Sequence, residues 1–267
     1  MPTIHPSAIV DSKAEIAEDV VIGPFTTVEA DVVIDAGTVI DSHVRVDNGA
    51  RIGKNCRVHQ GTVVATPPQD LKYANEKTEF HLGDNSTVRE YCTLNRGTTH
   101  SWKSSVGSDC LLMAYVHVAH DCLVGDRVII ANSAQMGGHV LIGDWAIIGG
   151  LAAIHQFSHI GAHSMIAGGA KVVKDVPPYV LAGSWPAQFE GLNSVGLRRR
   201  GFSREAIDAI DRTYRAIYRS GMNVSQAVDW VKENIEPLPE VQNILDFIAG
   251  SDRGIMKLAG SGRQHKA

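Results

Sequence analysis

The sequence lacks several features that would assign it to common classes of protein. No stretch approaches the roughly 18 continuous apolar residues of a membrane-spanning helix, so we expect no membrane span. Its N-terminus, MPTIHPSAIVDSKAE, has no basic segment followed by an apolar core, so no secretory signal is visible and we expect a cytoplasmic protein. Positive charge is not in excess: 25 lysines and arginines stand against 29 acids, which argues against a nucleic-acid partner.

Cysteine is scarce as well. Cys56, Cys92, Cys110 and Cys122 are the four cysteines, and each falls on a small position of the repeat described next. An intracellular chain keeps such thiols reduced, and inert buried cysteine is the common case. We therefore expect buried structural thiols and no disulfide framework.

What the chain does contain is a six-residue repeat. A long aliphatic residue recurs at every sixth position from Val10 to Val172, interrupted only at Asp70, Glu76 and His100. Four residues after most of these positions the side chain is small or β-branched. An amphipathic α-helix would show spacings of three and four, and a half-buried strand would alternate with period two. The period of six predicts an all-β parallel β-helix whose narrow interior is filled by side chains.

The same pattern divides the chain into two domains. Residues 1–182 form the β-helix, with a protruding loop at 65–81, where a double proline forces the chain off the strand, and a smaller loop at 95–105. Residues 183–267 form a small α-helical C-terminal domain. We predict three helices there, with disorder from about residue 258: one from an N-cap at Ser203 to Gly221, a second ending near Ile235, and a third from Pro239 to Gly250.

Simple addition then identifies neighbours on successive coils. If three hexads make one coil, residues n and n+18 stack about 4.8 Å apart. Adding 18 to His120 gives Gly138, and 18 more gives Gln156; adding 18 to Asp121 gives His139. One surface patch is therefore predicted to hold His117, His120, Asp121, Gly138, His139, His155 and Gln156.

This patch has the parts of an acyl-transfer site. Histidine titrates near neutral pH and can remove a proton from a hydroxyl, and an adjacent carboxylate can fix its tautomer. A glycine directly above offers its backbone N–H to a developing oxyanion. No serine or cysteine is suitably located as a nucleophile, so we predict direct transfer without a covalent intermediate.

Two other interpretations of the patch stay open. His117-x-x-His120 with His139 or His155 could hold zinc, as three histidines do in the γ-class carbonic anhydrases, which would make the protein a zinc-dependent lyase. A polar ladder on a solenoid can also have no catalytic role, which would leave a scaffold. Acyl transfer is the interpretation we adopt, and it requires no metal.

Several longer strings resemble those of a known family, the bacterial acyl-[acyl-carrier-protein]:UDP-N-acetylglucosamine O-acyltransferases of lipid A biosynthesis, within the hexapeptide-repeat acyltransferase superfamily. They extend over nearly the whole chain. The matching strings are Gln69-Asp70-Leu71-Lys72-Tyr73, Ala119-His120-Asp121-Cys122, Ala146-Ile147-Ile148-Gly149-Gly150, His155-Gln156-Phe157, Lys174-Asp175-Val176-Pro177-Pro178-Tyr179-Val180 and Arg199-Arg200-Gly201-Phe202-Ser203-Arg204-Glu205-Ala206-Ile207.

The resemblance implies a left-handed β-helix with triangular coils, a homotrimer, and active sites in the clefts between subunits. It implies transfer of a (R)-3-hydroxyacyl chain from acyl carrier protein to the glucosamine 3-position of UDP-N-acetylglucosamine. No cofactor is implied beyond the phosphopantetheine that carries the acyl group on its carrier protein.

The resemblance also implies roles for particular residues. His120 matches the general base, Asp121 its partner and Gly138 the oxyanion donor, while Gly168 matches a position that limits acyl length, where glycine predicts a long chain. Residues that match contacts to donor or sugar nucleotide are Asp70, Lys72, His117, His139, His155 and Gln156. Those that match C-terminal residues associated with the nucleotide are Asn193, Arg199 and Arg200.

Two departures from the family pattern leave the acceptor open. Many members have Ile-Glu-Gly-Leu where this chain has Ser194-Val195-Gly196-Leu197, and His-Arg-Gly-Thr where it has Asn95-Arg96-Gly97-Thr98. An acceptor with a 3-amino group, or another UDP-sugar, is the alternative to UDP-N-acetylglucosamine. Residues 198–219 carry seven arginines against three acids, a segment suited to the phosphates of the nucleotide or to an acidic carrier protein.

Overall fold

The computed structural model describes residues 1–260, and in this part of the chain 28 short strands are followed by four helices. The first strands are β1 Thr3–Ile4, β2 Ile9–Val10, β3 Glu15–Ile16, β4 Val21–Ile22, β5 Thr27–Val28, β6 Val32–Ile34, β7 Val39–Ile40, β8 Arg45–Val46, β9 Ala50–Ile52, β10 Arg57–Val58, β11 Val63–Thr66, β12 Glu79–Leu82, β13 Thr87–Val88 and β14 Thr93–Asn95. The others are β15 Lys103–Val106, β16 Leu111–Leu112, β17 His117–Val118, β18 Leu123–Val124, β19 Ile129–Ile130, β20 Gln135–Met136, β21 Leu141–Ile142, β22 Ile147–Ile148, β23 Ala153–Ile154, β24 His159–Ile160, β25 Met165–Ile166, β26 Lys171–Val172, β27 Val180–Gly183 and β28 Gln188–Leu192. The helices are α1 Ser194–Arg199, α2 Arg204–Arg219, α3 Val224–Asn234 and α4 Pro239–Ala249.

Every third strand pairs in parallel, so the strands up to β27 form three flat sheets around a common core. We call them the first face (β1, β4 and so on to β27 and β28), the second face (β2 to β26) and the third face (β3 to β24). The aliphatic residue of each hexad points inward and is buried from Ile22 onward, for example Ile130 and Ile148. The parallel β-helix predicted from the period of six is confirmed, and so is the left hand that the family resemblance implies.

The faces meet at two-residue corners, and the second corner residue has a positive φ, +58° at Asp121 and +62° at His139. These turns let the chain change direction between strands without a longer loop. Three columns of corners run along the prism. The histidine corner is 120/121, 138/139 and 156/157, the tryptophan corner is 126/127, 144/145 and 162/163, and the glycine corner is 132/133, 150/151 and 168/169.

The order of these columns around the prism follows from chain order. The second face lies between the glycine corner and the histidine corner, and the first face lies between the tryptophan corner and the glycine corner. Outward side chains on the first face form an apolar stripe along consecutive strands. Its members are Leu111, Ile129, Ile147, Met165 and Leu181.

Two loops interrupt the coils. The first spans 67–78 between β11 and β12, shorter at both ends than the interval 65–81, because Ala65 and Thr66 continue one strand and Glu79 begins the next. The second spans 96–102 between β14 and β15 rather than 95–105. The second loop changes the local register from 18 residues to 24, so that Leu94 pairs with Val118.

The C-terminal segment begins with strand rather than helix. β27 continues the first face beside β25, and β28 returns antiparallel to it, so our boundary between 182 and 183 falls inside β27. The short helix α1 was not predicted. The three predicted helices are confirmed, with the Ser203 hydroxyl accepting from the Ala206 N–H at 3.0 Å and Pro239 in the first turn of α4.

The last described residues are ordered by contacts with the hairpin. Leu258 bridges Phe189, and the Ala259 N–H donates to the Phe189 carbonyl at 3.0 Å. The expectation of disorder from residue 258 is therefore wrong for residues 258–260, and 261–267 lie outside the described residues. All four cysteines are buried and free, and none of the helices described is long and apolar enough to cross a membrane.

Candidate active site

The histidine corner carries a paired imidazole and carboxylate. His120 Nδ1 lies 2.7 Å from Asp121 Oδ2, and the Asp121 side chain is fully buried. A carboxylate only accepts hydrogen bonds, so Nδ1 carries the proton and Nε2 presents its lone pair. Among residues 1–260, Nε2 has no hydrogen-bond partner. The pair is thus arranged to accept a proton at Nε2.

The second loop supplies hydrogen bonds that keep the Asp121 carboxyl ionised. The N–H and hydroxyl of Thr98 donate to it at 3.0 and 2.8 Å, the N–H of Ser101 donates at 3.3 Å, and the Ser101 hydroxyl donates as well. Burial acts to raise the pKa of Asp121, but hydrogen bonds from His120, Ser101 and Thr98 outweigh it and hold the pKa well below its ordinary value. The carboxylate therefore stays ionised beside His120.

Gly138 lies directly against the His120 ring, as the addition of 18 predicted. A Cβ built on Gly138 would lie 2.5 Å from His120 Cε1, so any side chain there would displace the imidazole. The Gly138 carbonyl accepts from the Phe157 N–H at 3.0 Å, whereas the Gly138 N–H donates no backbone hydrogen bond within the described part of the chain. That N–H remains available for a ligand.

Other imidazoles surround the pair. His139 stacks on Phe157 with ring centroids 4.3 Å apart and meets His120 edge-on at 5.1 Å. His117 Nδ1 bonds the Thr93 hydroxyl at 2.7 Å. Burial is the largest cause that lowers the pKa of both His117 and His139, which keeps both rings neutral near pH 7.

The outer edge of the corner is polar and accessible. His155 and Gln156 are both exposed, and His155 Nδ1 lies 2.8 Å from the Gln156 carbonyl. By register His155 follows Ile154, whose partner on the coil before is Met136, so His155 stacks on Gly137. The seven residues predicted to share one patch are brought together.

The first loop borders this patch at His139 and forms a cleft beside it. Asp70 and Lys72 line a cavity of about 370 Å³ together with His100, His139 and Phe157. Asp70 organises the loop, because its side chain accepts from the Lys72 N–H at 3.0 Å. Both residues predicted on this loop thus face the histidine corner.

The remaining predicted residues lie on other corners. Asn193 caps α1 and donates to the His163 carbonyl at 2.9 Å, and Arg200 Nη1 lies 3.3 Å from His163 Nδ1 with its guanidinium 5.1 Å from the Trp145 ring. Arg199 is exposed nearby. Gly168 is exposed on the glycine corner, across the second face from His120. A single chain does not bring these groups together with His120.

One group of potential metal ligands occurs among the described residues: His120, Asp121 and His139, whose ligand atoms lie within 4.8 Å of one another. The Asp121 oxygens already accept from Thr98, Ser101 and His120, and His120 Nδ1 is used by Asp121. Zinc would have to replace these hydrogen bonds. The zinc alternative therefore finds no preformed set of free ligands here.

Comparison with known proteins agrees with this geometry. The family profile described as UDP-N-acetylglucosamine O-acyltransferase, domain 2, matches residues 175–256, and the bacterial transferase hexapeptide profile matches 103–138. The chain is 55% identical to the acyl-[acyl-carrier-protein]–UDP-N-acetylglucosamine O-acyltransferase of Chlorobaculum parvum and 57% identical to that of Chlorobium phaeobacteroides, over 95% of this chain and 97% of each relative. The chain belongs to this acyltransferase family. The crystal structure of the UDP-N-acetylglucosamine acyltransferase from Bacteroides fragilis, 42% identical, matches with a TM-score of 0.93 over 95% of this chain and 99% of that one.

The two departures from the family pattern have different surroundings. Asn95 is buried, and its amide donates to the Thr66 hydroxyl at 2.9 Å and the Pro67 carbonyl at 3.1 Å, which anchors the start of the first loop. Val195 is 54% exposed on α1. Asn95 therefore affects the cleft of this acyltransferase only indirectly, by anchoring the first loop. Val195 lies on the surface beside Asn193.

Sequence reasoning missed the residues that support the pair. Thr98 and Ser101 bind Asp121, Thr93 binds His117, and Phe157 stacks on His139. The signal existed, because a register of 24 across the second loop aligns Thr93 with His117 and residue 97 with Asp121. A uniform register of 18 misses the contacts of Thr93, Thr98 and Ser101, whereas Phe157 lies 18 residues after His139 and the same addition would have found that stack.

Proposed function

We propose that this protein transfers a (R)-3-hydroxyacyl group from acyl carrier protein to the glucosamine 3-position of UDP-N-acetylglucosamine, the first step of lipid A biosynthesis. The names of its relatives support this donor and this acceptor. The observation that carries the chemistry is the His120–Asp121 pair with its imidazole against Gly138. The compartment we propose is the cytoplasm.

In the proposed reaction His120 is the general base. Its Nε2 takes the proton of the acceptor 3-hydroxyl as that oxygen bonds to the thioester carbonyl carbon. The Gly138 N–H stabilises the oxyanion of the tetrahedral intermediate, and Asp121 stabilises the imidazolium. When the carbon–sulfur bond breaks, the imidazolium gives its proton to the departing sulfur, so the phosphopantetheine leaves as a thiol and His120 is neutral again. Every atom is accounted for, and the protein needs no cofactor of its own.

Substrate contacts are proposed for the residues around this centre. Asp70, Lys72 and His139 line the cleft, and a ligand there would meet them directly. The other proposed contacts are His117, His155 and Gln156 for donor or sugar, Asn193, Arg199 and Arg200 for the nucleotide, and Gly168 for the far end of the acyl chain. The arginine-rich segment 198–219 supplies positive charge for an acidic carrier protein.

The proposed working form is a homotrimer. A threefold ring in which the first face of one copy packs against the second face of the next would cover the apolar stripe. It would also bring the tryptophan corner of one copy, with Asn193 and Arg200, beside the histidine corner of its neighbour. An acyl chain would then run over the second face from His120 toward Gly168, beneath the stripe of the neighbouring copy.

The first experiment is an acyl-transfer assay read by product mass, with UDP-N-acetylglucosamine and its 3-amino analogue as acceptors. We expect an ester product and a loss of about 10²–10⁴-fold in kcat for His120→Ala, the usual contribution of a general base. His5→Ala, an exposed histidine in the first coil, is the matched control and should retain full rate. Near-normal turnover by His120→Ala would overturn the assignment, and an amide product alone would establish the amino acceptor.

A further inference from the structure

We propose that Thr98 and Ser101 are positioning residues that set the proton affinity of His120 by acting on Asp121. Neither residue touches the reacting atoms in the proposed chemistry; they act only through the carboxylate. The proposal rests on the proposed function, in which His120 is the base, and it adds two residues that sequence reasoning did not identify.

The geometry divides the two carboxylate oxygens between different donors. Oδ2 accepts from His120 Nδ1 at 2.7 Å and from the Thr98 hydroxyl at 2.8 Å. Oδ1 accepts the Thr98 N–H at 3.0 Å, the Ser101 N–H at 3.3 Å and the Ser101 hydroxyl. Thr98 therefore competes with His120 for the same oxygen, whereas Ser101 binds the other one.

Five donors on one carboxylate saturate it. An ionised carboxylate has about four lone-pair sites, so its negative charge is spread over all its partners. Among residues 1–260 no lysine or arginine forms an ion pair with Asp121, so neutral hydrogen bonds alone balance this buried charge. Removing one hydroxyl leaves more of the charge on Oδ2 for His120 and strengthens its hold on an added proton.

The other titratable groups described at this corner make no side-chain hydrogen bond to Thr98 or Ser101. His139 Nε2 lies 3.8 Å from Asp121 Oδ2, and His117 and His100 are the neighbouring imidazoles. Asp70 acts on His139 from the first loop, and Cys122 follows Asp121 with its thiol buried. The other partner of the Thr98 hydroxyl is the His100 N–H at 3.2 Å, and that of the Ser101 hydroxyl is the Lys103 carbonyl at 2.8 Å. Both are backbone groups that do not titrate, so a shift seen in both variants is attributable to the carboxylate.

The test is the pH profile of kcat/KM for Thr98→Val and Ser101→Ala. We expect the acidic limb to move to higher pH by about half a unit or more, because imidazolium persists to higher pH when Oδ2 is freer, and the plateau rate to fall by up to about tenfold. Thr98→Ser keeps the hydroxyl and should return the limb to its original position. Thr27→Val on an early coil and Ser105→Ala on the third face change outward residues that do not bind Asp121; they are the matched controls and should leave the profile unmoved.

A purely structural role for the loop predicts a different outcome. Loss of rate in Thr98→Val without movement of the limb, or no rescue by Thr98→Ser, would overturn the proposal. An NMR titration of the His120 ring in the intact protein reads the same shift without turnover. It separates this proposal from the proposed function, because an inactive wild type would defeat the function while the titration midpoints would still compare the variants.

Discussion

Gly138 and His120 are in van der Waals contact although a full coil of chain separates them. A Cβ on Gly138 would lie 2.5 Å from His120 Cε1 and 2.7 Å from its Nε2, closer than real Cβ atoms approach other heavy atoms. The missing side chain is what allows the imidazole to lie against the backbone of the next coil. Gly138 thus fixes the position of the His120 ring and also supplies the backbone N–H beside it.

Gly138→Ala should therefore damage catalysis more than folding. The methyl group must push the imidazole aside, and a displacement of about 1 Å at a catalytic group costs on the order of 10²-fold in rate. We expect kcat to fall by about that factor, with little change in melting temperature. Gly250→Ala is the matched control, because its φ is −86° and the nearest atom to an added Cβ is 3.5 Å away. Equal rates for both variants would contradict the contact.

The sequence was sufficient to predict this contact because the β-helix has a fixed period. Once Ile130 and Ile148 are known to stack, the neighbours of His120 follow by counting, and no long-range information is needed. The same local logic predicted α2 from the Ser203 cap and α4 from Pro239.

Counting in steps of 18 residues failed where a loop interrupts the six-residue repeat. The loop 96–102 adds six residues to its coil, so the hydroxyls of Thr98 and Ser101 reach Asp121 from outside the regular ladder. Arg200 and Gly168 could not be placed by counting for a different reason: Arg200 lies beside the tryptophan corner and Gly168 on the glycine corner, and in the proposed trimer a second copy brings such residues together. Periodicity within one chain contains no information about a neighbouring copy.

Subunit mixing tests whether a site is shared between copies. We expect His120→Ala and Arg200→Ala to be inactive or weakly active alone, since in the proposed trimer all three sites would then be damaged. Co-refolded or co-expressed together, they should form mixed trimers that regain activity, because a site between the two kinds of chain can combine an intact His120 with an intact Arg200. Specific activity against mixing ratio is the measurement.

Two results would refute sharing. No recovery at any ratio, in a sample shown by native mass spectrometry to contain mixed trimers, would mean that His120 and Arg200 act within one chain. A monomer at assay concentration with full activity would have the same meaning. The matched control is a mixture of His120→Ala with Asp121→Asn, two changes on the same corner, which should give no recovery.

Gly168→Met should shorten the preferred acyl chain. A Cβ at Gly168 meets only backbone atoms of Gly150, the carbonyl oxygen at 3.3 Å and the nitrogen at 4.0 Å, so the backbone accepts a side chain with a small adjustment. In the proposed path this fills the far end of the groove. Competition between hydroxyacyl carrier proteins of several lengths, with products read by mass, should shift toward shorter chains by about tenfold if two methylenes lose their place, since each buried methylene contributes about 0.8 kcal/mol. Gly250→Met should leave the preference unchanged, and an unaltered preference in Gly168→Met would exclude Gly168 from the groove.

Acid should destabilise the fold through His163 on the tryptophan corner. Its ring is stacked between Trp145 and Tyr179, and burial first, then the charge of Arg200, lowers its pKa from 6.5 to about 4. As the pH falls below 6.5, His163 becomes protonated in the unfolded chain but stays neutral in the folded chain. The free energy of unfolding therefore falls as the pH drops from 6.5 toward 4, and below that this contribution changes no further. The loss should be on the order of 1–2 kcal/mol per chain, after allowance for partial solvent screening.

His163→Phe keeps the ring stack without the titration and should flatten the free energy of unfolding across that window. His43→Phe is the matched control, because His43 occupies the same kind of corner with φ +58° against +59° but is exposed. An unchanged slope in His163→Phe would show that another group is responsible for the acid sensitivity.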